Sequence, residues 1–284
     1  MYIIGWASAH GQRANGPNSM FRCDWSADRA EWAVFNLRLG SPRTARHRYN
    51  EPMPRSSAAA DPSRPLAVLV SGGLDSAILL AEALHQYPAI WPIYVRFGLF
   101  WEETELQHLH RFLDAIRTPA LEALTVLDMP VADLYGEHWS LTGKEVPASG
   151  TPDDAVYLPG RNVLLLAKAM LWCHLHGVPA LALAPLESNP FPDATPSFFA
   201  DYQAIVNRAI GGAVQVLQPY RGLHKEEVLQ RGRHLPLQWT FSCLRPQGGR
   251  HCGACNKCAE RRQAFQRAGC PDPTIYHQEG PCSA

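Results

Sequence analysis

Ser71-Gly72-Gly73-Leu74-Asp75-Ser76, directly after an apolar run at residues 66–70, is the most informative part of this sequence. The short apolar run predicts a buried parallel strand. The two glycines allow the backbone to turn sharply with bare N–H groups, and the apolar spacing that follows predicts a helix. Because bare N–H groups and the positive end of a helix dipole then meet at one point, the stretch predicts an anion-binding loop.

An ordinary turn between a strand and a helix is the alternative to an anion-binding loop, since Gly-Gly turns are common. The stretch is not a Walker A loop, because its spacing differs and no Lys-Ser or Lys-Thr pair follows it. It is not a G-x-G-x-x-G dinucleotide loop either. The rest of the chain therefore has to decide between a phosphate site and a plain turn.

The composition favours a small-molecule substrate. The 284 residues are 46% hydrophobic and 18% charged, which is enough apolar material for a sizeable core. Lys plus Arg and Asp plus Glu both number 26, so no net basic charge attracts the chain to nucleic acid or to anionic membranes. No apolar run reaches the ~18–20 residues of a membrane span, and the first residues lack the features of a secretory signal. We therefore expect a cytoplasmic protein with no nucleic-acid or membrane partner.

Three segments are expected along the chain. Residues 1–64 show no clear periodicity and end in a linker rich in Pro, Ser and Ala. They are a small strand-bearing extension, a poorly ordered arm, or upstream sequence that is not translated, with Met53 as an alternative start. Residues 65–235 alternate strand and helix patterns, which predicts an α/β nucleotide-binding domain. Residues 236–284 form a C-terminal metal-binding segment, because most of the cysteines lie there.

The α/β domain is predicted to be a parallel, five-stranded, doubly wound sheet, because strands and helices alternate. The predicted strands lie at residues 66–70, 90–97, 124–129, 181–184 and 214–218. The predicted helices lie near residues 75–85, 102–116, 162–176, 197–209 and 225–231. Such sheets bind ligands at the carboxyl ends of their strands, which is where the loop of residues 71–76 falls.

Four of the eight cysteines form a cluster, namely Cys243, Cys252, Cys255 and Cys258. Their spacing, C-x8-C-x2-C-x2-C, and the absence of a histidine suit a closed tetrahedral zinc site of four thiolates. A closed site has no open coordination position, so we expect Zn²⁺ to hold the C-terminal segment together rather than to take part in chemistry. An iron–sulfur cluster, a redox pair and plain buried thiols are the alternatives.

The two motifs, in this order and at this separation, resemble the 7-cyano-7-deazaguanine synthase family of the PP-loop ATP pyrophosphatases, whose pyrophosphate loop reads SGGxDS. Other segments carry the same resemblance: Tyr157-Leu158-Pro159-Gly160-Arg161-Asn162, Phe191-Pro192-Asp193, Thr240-Phe241-Ser242-Cys243, Arg261-Arg262-Gln263-Ala264-Phe265 and Asp272-Pro273-Thr274-Ile275-Tyr276. The resemblance covers about residues 66–276. It implies a HUP-type α/β fold, ATP and Mg²⁺ at the site, and a place in queuosine biosynthesis.

The chemistry that the resemblance implies is the conversion of 7-carboxy-7-deazaguanine and ammonia to 7-cyano-7-deazaguanine. Attack of the carboxylate on the α-phosphate of ATP gives an acyl-adenylate, ammonia then gives the amide, and a second adenylation allows the nitrile to form. Free ammonia is the expected nitrogen source. The resemblance also suggests a homodimer.

The site residues are assigned by the same resemblance, with a physical role for each group. Nucleotide binding is assigned to Ser71, Gly72, Gly73, Leu74, Asp75, Ser76, Gly160, Arg161 and Asn162. Catalytic roles are assigned to Asp75, Arg161, Lys225 and Asp193, and substrate binding to Glu187, Phe191 and Asp193. A carboxylate suits Mg²⁺, a guanidinium suits phosphate or carboxylate, and a lysine neutralises pyrophosphate. Helix capping, surface ion pairs and turn formation are the structural alternatives.

Three departures from the family pattern fall where the substrate is expected. Residues 98–103 replace a G-Q-R-H-like stretch with Gly-Leu-Phe-Trp-Glu-Glu, Ala194 and Thr195 replace Cys and Arg, and Glu187 stands in place of Asp. These changes favour, as an alternative, a PP-loop ligase that acts on a different carboxylate, amide or macromolecular acceptor. A third hypothesis is a zinc-binding module without catalysis. The intact loop and the balanced charge argue against that hypothesis.

Overall fold

The first apolar run forms the central strand of a parallel sheet in the computed structural model, which describes residues 60–277. The strands are β1 (Leu66–Leu69), β2 (Ile90–Arg96), β3 (Thr125–Asp128), β4 (Ala180–Ala182) and β5 (Gln215–Leu217). Their order in the sheet is β3-β2-β1-β4-β5, and every neighbouring pair is parallel. The order therefore reverses at β1, and sheets of this type bind ligands at such a reversal.

Eight α-helices accompany the sheet within the described part of the chain. They are α1 (Leu74–Ala83), α2 (Glu102–Ala115), α3 (Ala132–Tyr135), α4 (Trp139–Thr142), α5 (Arg161–Leu175), α6 (Pro196–Ile210), α7 (Lys225–Gly232) and α8 (Asn256–Arg267). The five predicted helices correspond to α1, α2, α5, α6 and α7. Helix α8 was not predicted from the sequence, because its residues are mostly polar and include a cysteine of the cluster.

Apolar side chains of β1 alternate between the two faces of the sheet. Ala67 and Leu69 belong to a core with residues of α5 and α6, whereas Leu66 and Val68 belong to a second core with residues of α1, α2 and α7. Burial of each large aliphatic side chain contributes about 1.5–3 kcal/mol, so both layers stabilise the sheet. The doubly wound α/β architecture predicted from the sequence is confirmed.

The C-terminal part of the chain contributes to both cores. Phe241 and the four clustered cysteines pack in the core with α5 and α6, whereas Ala264 and Phe265 of α8 pack in the core with α1 and α7. The boundary at residues 235 and 236 between two segments stays a prediction. The prediction for residues 1–64 falls almost entirely outside the described residues. Among the described residues, no helix combines the length and the apolar character needed to cross a bilayer.

Candidate active site

The loop of residues 71–76, here called the phosphate loop, joins β1 to α1 and is held by its own serines. The Ser71 N–H donates to Ser76 Oγ at 3.1 Å, and the Gly73 N–H donates to Ser71 Oγ at 3.4 Å. Gly73 is the N-cap of α1 and no side chain caps this helix. The first N–H groups of α1 are therefore left for a ligand, and an anion is the partner that they and the helix dipole favour.

Gly72 gives the phosphate loop its shape for two reasons. Its φ of +71° lies in the left-handed region, and a Cβ at this position would approach Glu105 Cγ to 2.9 Å. The Gly72 carbonyl also accepts a hydrogen bond of 2.7 Å from the Phe241 N–H. A side chain at Gly72 would both strain the backbone and collide with α2.

A cavity of about 400 Å³ lies beside the phosphate loop, at the carboxyl ends of the strands. The predicted site residues that line it are Ser71, Gly73, Leu74, Asp75, Ser76, Arg161, Asn162, Phe191 and Lys225. The predicted residues Gly72, Gly160, Glu187 and Asp193 are not among its lining residues. The structure therefore brings the phosphate loop, the start of α5 and the start of α7 around one space.

Lys225 lies between two carboxylates in the wall of the cavity. Its Nζ is 2.6 Å from Asp75 Oδ2 and 3.7 Å from Glu260 Oε1. Burial opposes the charge of Lys225, but the two carboxylates outweigh that effect and raise the pKa of the ammonium group. The other oxygen of the first carboxylate, Asp75 Oδ1, is buried and has no hydrogen-bond partner among the described residues. An oxygen of this kind suits Mg²⁺, which takes oxygen ligands.

The start of α5 is organised by Asp193, which lies on a neighbouring turn. Gly160 is the N-cap of α5, with a φ of +74°, and offers no side chain to cap the helix. The Asn162 N–H donates to Asp193 Oδ2 at 3.0 Å, and Asn162 Nδ2 donates to the Asp193 carbonyl at 2.9 Å. Arg161 then lines the cavity with a buried Nε that has no partner within residues 60–277. A direct role of Asp193 in the chemistry stays a prediction.

The two other predicted substrate residues differ in position. Phe191 lines the cavity and stacks on Tyr157 with ring centroids 4.7 Å apart and an interplanar angle of 27°. The pair presents aromatic surface of a kind that suits a flat heterocycle. Glu187 is more than half exposed, and its Oε2 lies 3.3 Å from His224 Nε2. Its role in substrate binding stays a prediction.

Two buried acids on α2 were not assigned a role from the sequence. Glu102 accepts the Phe97 and Gly98 N–H groups at 2.6 Å each, and so fixes the turn after β2. Glu105 lines the cavity and accepts a hydrogen bond of 2.6 Å from the Tyr94 hydroxyl. Burial raises the pKa of Glu105 to about 8. The sequence offered one signal for a role of these residues, namely that both acids fall in the first turn of a predicted helix.

Three residues of α8 also line the cavity and were not predicted as site residues. They are Lys257, Glu260 and Arg261. Lys257 Nζ lies 2.5 Å from Glu260 Oε2, which links these charges to the pair of Lys225 and Asp75. Arg261 belongs to one of the segments that resemble the family pattern, but that resemblance did not assign it to the site. The site role of these residues depends on a helix that the sequence pattern did not predict.

The four clustered cysteines form a candidate metal centre next to the cavity. Their Sγ atoms all lie within 4.8 Å of one another, and all four side chains are buried. The N–H groups of Arg245 and Cys252 donate to Cys243 Sγ at 3.3 and 3.2 Å, which favours a thiolate at that position. Four converging sulfurs fit a tetrahedral metal ion. The predicted ligand set is therefore sterically able to hold a metal, and its identity as zinc stays a prediction.

Comparisons with known proteins cover most of the chain. The family model described as "Queuosine biosynthesis protein QueC" matches residues 66–269, which include the whole sheet, the cavity and the cysteine cluster. The 7-cyano-7-deazaguanine synthase of Stenotrophomonas maltophilia (strain K279a) is 30% identical over 221 residues, covering 74% of this chain and 97% of that protein. The enzyme of the same name from Syntrophobacter fumaroxidans (strain DSM 10017 / MPOB) is 32% identical over 235 residues, covering 75% and 96%.

Among solved structures, the NMN synthetase of Francisella tularensis matches with a TM-score of 0.39 and 12% sequence identity, over 74% of this chain and 79% of that chain. The sequence matches are the stronger comparison, because they extend over nearly the full length of the relatives.

Proposed function

Because this chain belongs to the family of queuosine biosynthesis protein QueC, we propose that it is a 7-cyano-7-deazaguanine synthase. In this proposal the enzyme is an ATP-dependent ligase that converts 7-carboxy-7-deazaguanine and ammonia to the nitrile. One observation carries the proposal: the phosphate loop, Arg161 and Lys225 surround one cavity in a chain whose match extends over almost the whole length of named synthases.

The phosphate loop and the start of α1 hold the phosphates of ATP in this proposal. The uncapped N–H groups of α1 and the Ser71 and Ser76 hydroxyls supply the donors. Lys225, kept charged by its two carboxylate neighbours, compensates part of the negative charge. Asp75 would hold Mg²⁺ through its unpartnered oxygen, and the ion would supply charge neutralisation at the phosphates.

The first chemical step makes the poorly electrophilic acid reactive. A carboxylate oxygen attacks the α-phosphorus of ATP, the bond to the β-phosphate oxygen breaks, and pyrophosphate leaves with the electron pair. The Arg161 guanidinium, whose Nε has no protein partner within residues 60–277, is the group that we assign to the reacting carboxylate or α-phosphate. Phe191, stacked on Tyr157, would hold the flat ring of the acid.

Nitrogen enters in the second step. Ammonia attacks the acyl carbon and AMP leaves, which gives the amide and releases one proton. The amide oxygen then attacks the α-phosphorus of a second ATP, and pyrophosphate and one amide proton leave. Loss of AMP and of the second amide proton gives the nitrile. Each nitrile therefore uses two ATP and releases two AMP and two pyrophosphate. The cysteine cluster would take no part in these steps, because a metal ion bound by all four cysteines would have no free coordination position for a substrate.

A second candidate function is a ligase of the same family with another acceptor, and the wall of the cavity favours it. Trp101 is 5% exposed, lines the cavity and stacks on Trp139 with centroids 5.9 Å apart. It stands where the family pattern has a basic stretch, so the wall is more apolar here. Thr195, which replaces the family's Arg, accepts the Phe198 N–H at the start of α6.

Product analysis distinguishes the two candidates. The zinc-loaded protein is incubated with ATP, Mg²⁺ and ammonium, with and without 7-carboxy-7-deazaguanine, and AMP, pyrophosphate and nitrile are measured by mass spectrometry. We expect AMP and nitrile that depend on the acid. The variant Lys225→Gln should lose about 100-fold in rate, whereas the exposed Lys144→Gln should match the parent protein. AMP release that ignores the acid would favour another acceptor, and no AMP release with any acid would refute the synthase assignment.

A further inference from the structure

Arg261 is a buried cation whose hydrogen bonds are incomplete. The residue is 1% exposed and lies on α8. Its Nε donates to Thr274 Oγ1 at 2.6 Å, and its Nη2 donates to the Leu237 carbonyl at 3.0 Å and to Thr240 Oγ1 at 2.9 Å. Its Nη1 is buried and has no hydrogen-bond partner anywhere in residues 60–277.

The charge of Arg261 is also not matched by a carboxylate in contact. Among the described residues, no carboxylate oxygen lies within 4.0 Å of the Arg261 guanidinium. The three atoms that accept its hydrogen bonds are neutral oxygens. An unpaired buried charge is costly, so such a group is retained where a ligand supplies the missing partner. The missing partner of a guanidinium is an anion, and phosphate is a common one.

The position of Arg261 beside the phosphate loop indicates that the missing anion is a phosphate group. Arg261 and Lys257 line the same cavity as the phosphate loop and the start of α1. Around them, Lys225 lies against Asp75 and Glu260, and Lys257 lies against Glu260. Two lysines therefore share two carboxylates, Arg261 adds an unpaired positive charge, and all of these groups line the same cavity as the uncapped N-terminus of α1.

We propose that α8 completes the binding site for the two outer phosphates of ATP, with Arg261 and Lys257 as the residues that bind them. The inference rests on the proposed use of ATP and adds to it the part of the site that takes the leaving group. When the bond between the α-phosphorus and the bridging oxygen breaks, the electron pair goes to pyrophosphate. Arg261 and Lys257 hold the negative charge that accumulates there.

This assignment gives the cysteine cluster an indirect role in nucleotide binding. Cys255 is the N-cap of α8 and Cys258 lies in its first turn, so two predicted metal ligands flank Lys257. Arg261 lies three positions after Cys258, which is about one helical turn. A metal ion bound by the four sulfurs would fix the start of α8 and with it both phosphate-binding side chains. A closed metal site thereby contributes to ATP binding without contacting the nucleotide.

Calorimetric titration of the full-length, zinc-loaded protein tests the inference. Mg²⁺-pyrophosphate, Mg²⁺-ATP and AMP are titrated into the parent protein, Arg261→Lys and Lys257→Gln. We expect both variants to weaken pyrophosphate and ATP binding by about tenfold and to leave AMP binding within about twofold, because AMP lacks the outer phosphates. Arg267→Gln is the matched control, since it removes an exposed charge from the last turn of the same helix.

The outcomes separate this inference from the proposed function. Unchanged pyrophosphate binding in Lys257→Gln and in folded Arg261→Lys would overturn the role of α8 and leave the synthase proposal intact. Equal losses for AMP and pyrophosphate would also overturn it, because they indicate a general distortion of the site. If Arg261→Lys fails to fold, Lys257→Gln decides, since this side chain is partly exposed. A parent protein that binds neither ATP nor pyrophosphate would refute both proposals.

Discussion

Gly72 is the residue at which the phosphate loop tolerates no side chain. We expect Gly72→Ala to weaken ATP binding by about tenfold or more and to lower the free energy of unfolding by about 1–2 kcal/mol, because it combines a positive φ with a contact to Glu105. Calorimetry and urea unfolding measure the two effects. Gly211→Ala is the matched control, since Gly211 has a φ of +61° with no atom within 4 Å of a Cβ and ends α6. It should lose stability but keep its ATP affinity.

We expect Glu105 to make the free energy of unfolding depend on pH. Its pKa is about 8 in the folded protein and 4.5 ordinarily, so between these values the folded state holds a proton that the unfolded state releases. The free energy of unfolding should therefore fall as pH rises from about 5 to about 8. Glu105→Gln keeps an acceptor for the Tyr94 hydroxyl and cannot ionise.

The variant should consequently be more stable than the parent protein at pH 8.5, by a few kcal/mol, and similar to it at pH 5. Urea unfolding at the two pH values compares the proteins. The difference in the free energy of unfolding between the two proteins reports the titration of Glu105, because every other titrating group is common to both. Parallel pH dependences in the two proteins would show that the Glu105 carboxyl titrates normally.

At the scale of secondary-structure elements, Asp193 tests whether a predicted catalytic carboxylate is instead a helix cap. Its side chain and carbonyl both bind Asn162 at the start of α5. We expect Asp193→Ala to cost about 1 kcal/mol of stability and to lose activity, because the start of α5, to which Arg161 belongs, loses its cap. Asp193→Asn retains an oxygen acceptor and should retain stability and most of kcat. A stable Asp193→Asn variant without activity would instead support a direct catalytic role.

The elements that the sequence predicts well are those with an apolar pattern. The five strands and the helices α1, α2, α5, α6 and α7 follow from apolar periodicity, and the phosphate loop follows from its glycines. Helix α8 does not, because its sequence is mostly polar and its buried side chains include an asparagine, an arginine and a cysteine of the cluster as well as apolar residues. The missed site residues Lys257, Glu260 and Arg261 lie on this helix. Single-turn helices such as α3 are too short to show a period.

Contacts between residues that are far apart in the sequence also cannot be predicted from a sequence pattern. Asp193 and Asn162 were both predicted as site residues, but their mutual hydrogen bonds depend on how two loops pack. Lys225 was predicted to neutralise pyrophosphate, and its short contact to Asp75 across the sheet edge was not. Likewise, the raised pKa of Glu105 arises from burial beneath the phosphate loop. The motifs predicted which residues belong to the site, but they did not predict which residues these side chains contact.

At the scale of the whole molecule, the cysteine cluster joins both layers. Its cysteines pack in the core with α5 and α6, whereas α8 packs in the core with α1 and α7. We expect Cys258→Ser to lose the metal, to lower Tm by about 5 °C or more and to weaken ATP binding, because α8 is then released at its start. Elemental analysis, thermal unfolding and calorimetry measure the three effects. Cys270→Ala, a half-buried thiol outside the cluster, is the control. Full ATP affinity in a metal-free Cys258→Ser would show that ATP binding does not depend on a metal at the cysteine cluster.

The contact between Lys225 and Asp75 has a consequence for the order in which the protein is made. The two residues are 150 positions apart, so the phosphate loop leaves the ribosome long before its lysine. At a translation rate of about 5–20 residues per second, the delay is roughly 8–30 s. The Gly72 carbonyl waits still longer for Phe241, and the cavity for α8. In the proposed function, a nascent chain that stops before its last helix would therefore carry an intact loop motif without the complete nucleotide site, and we expect such a chain not to hydrolyse ATP.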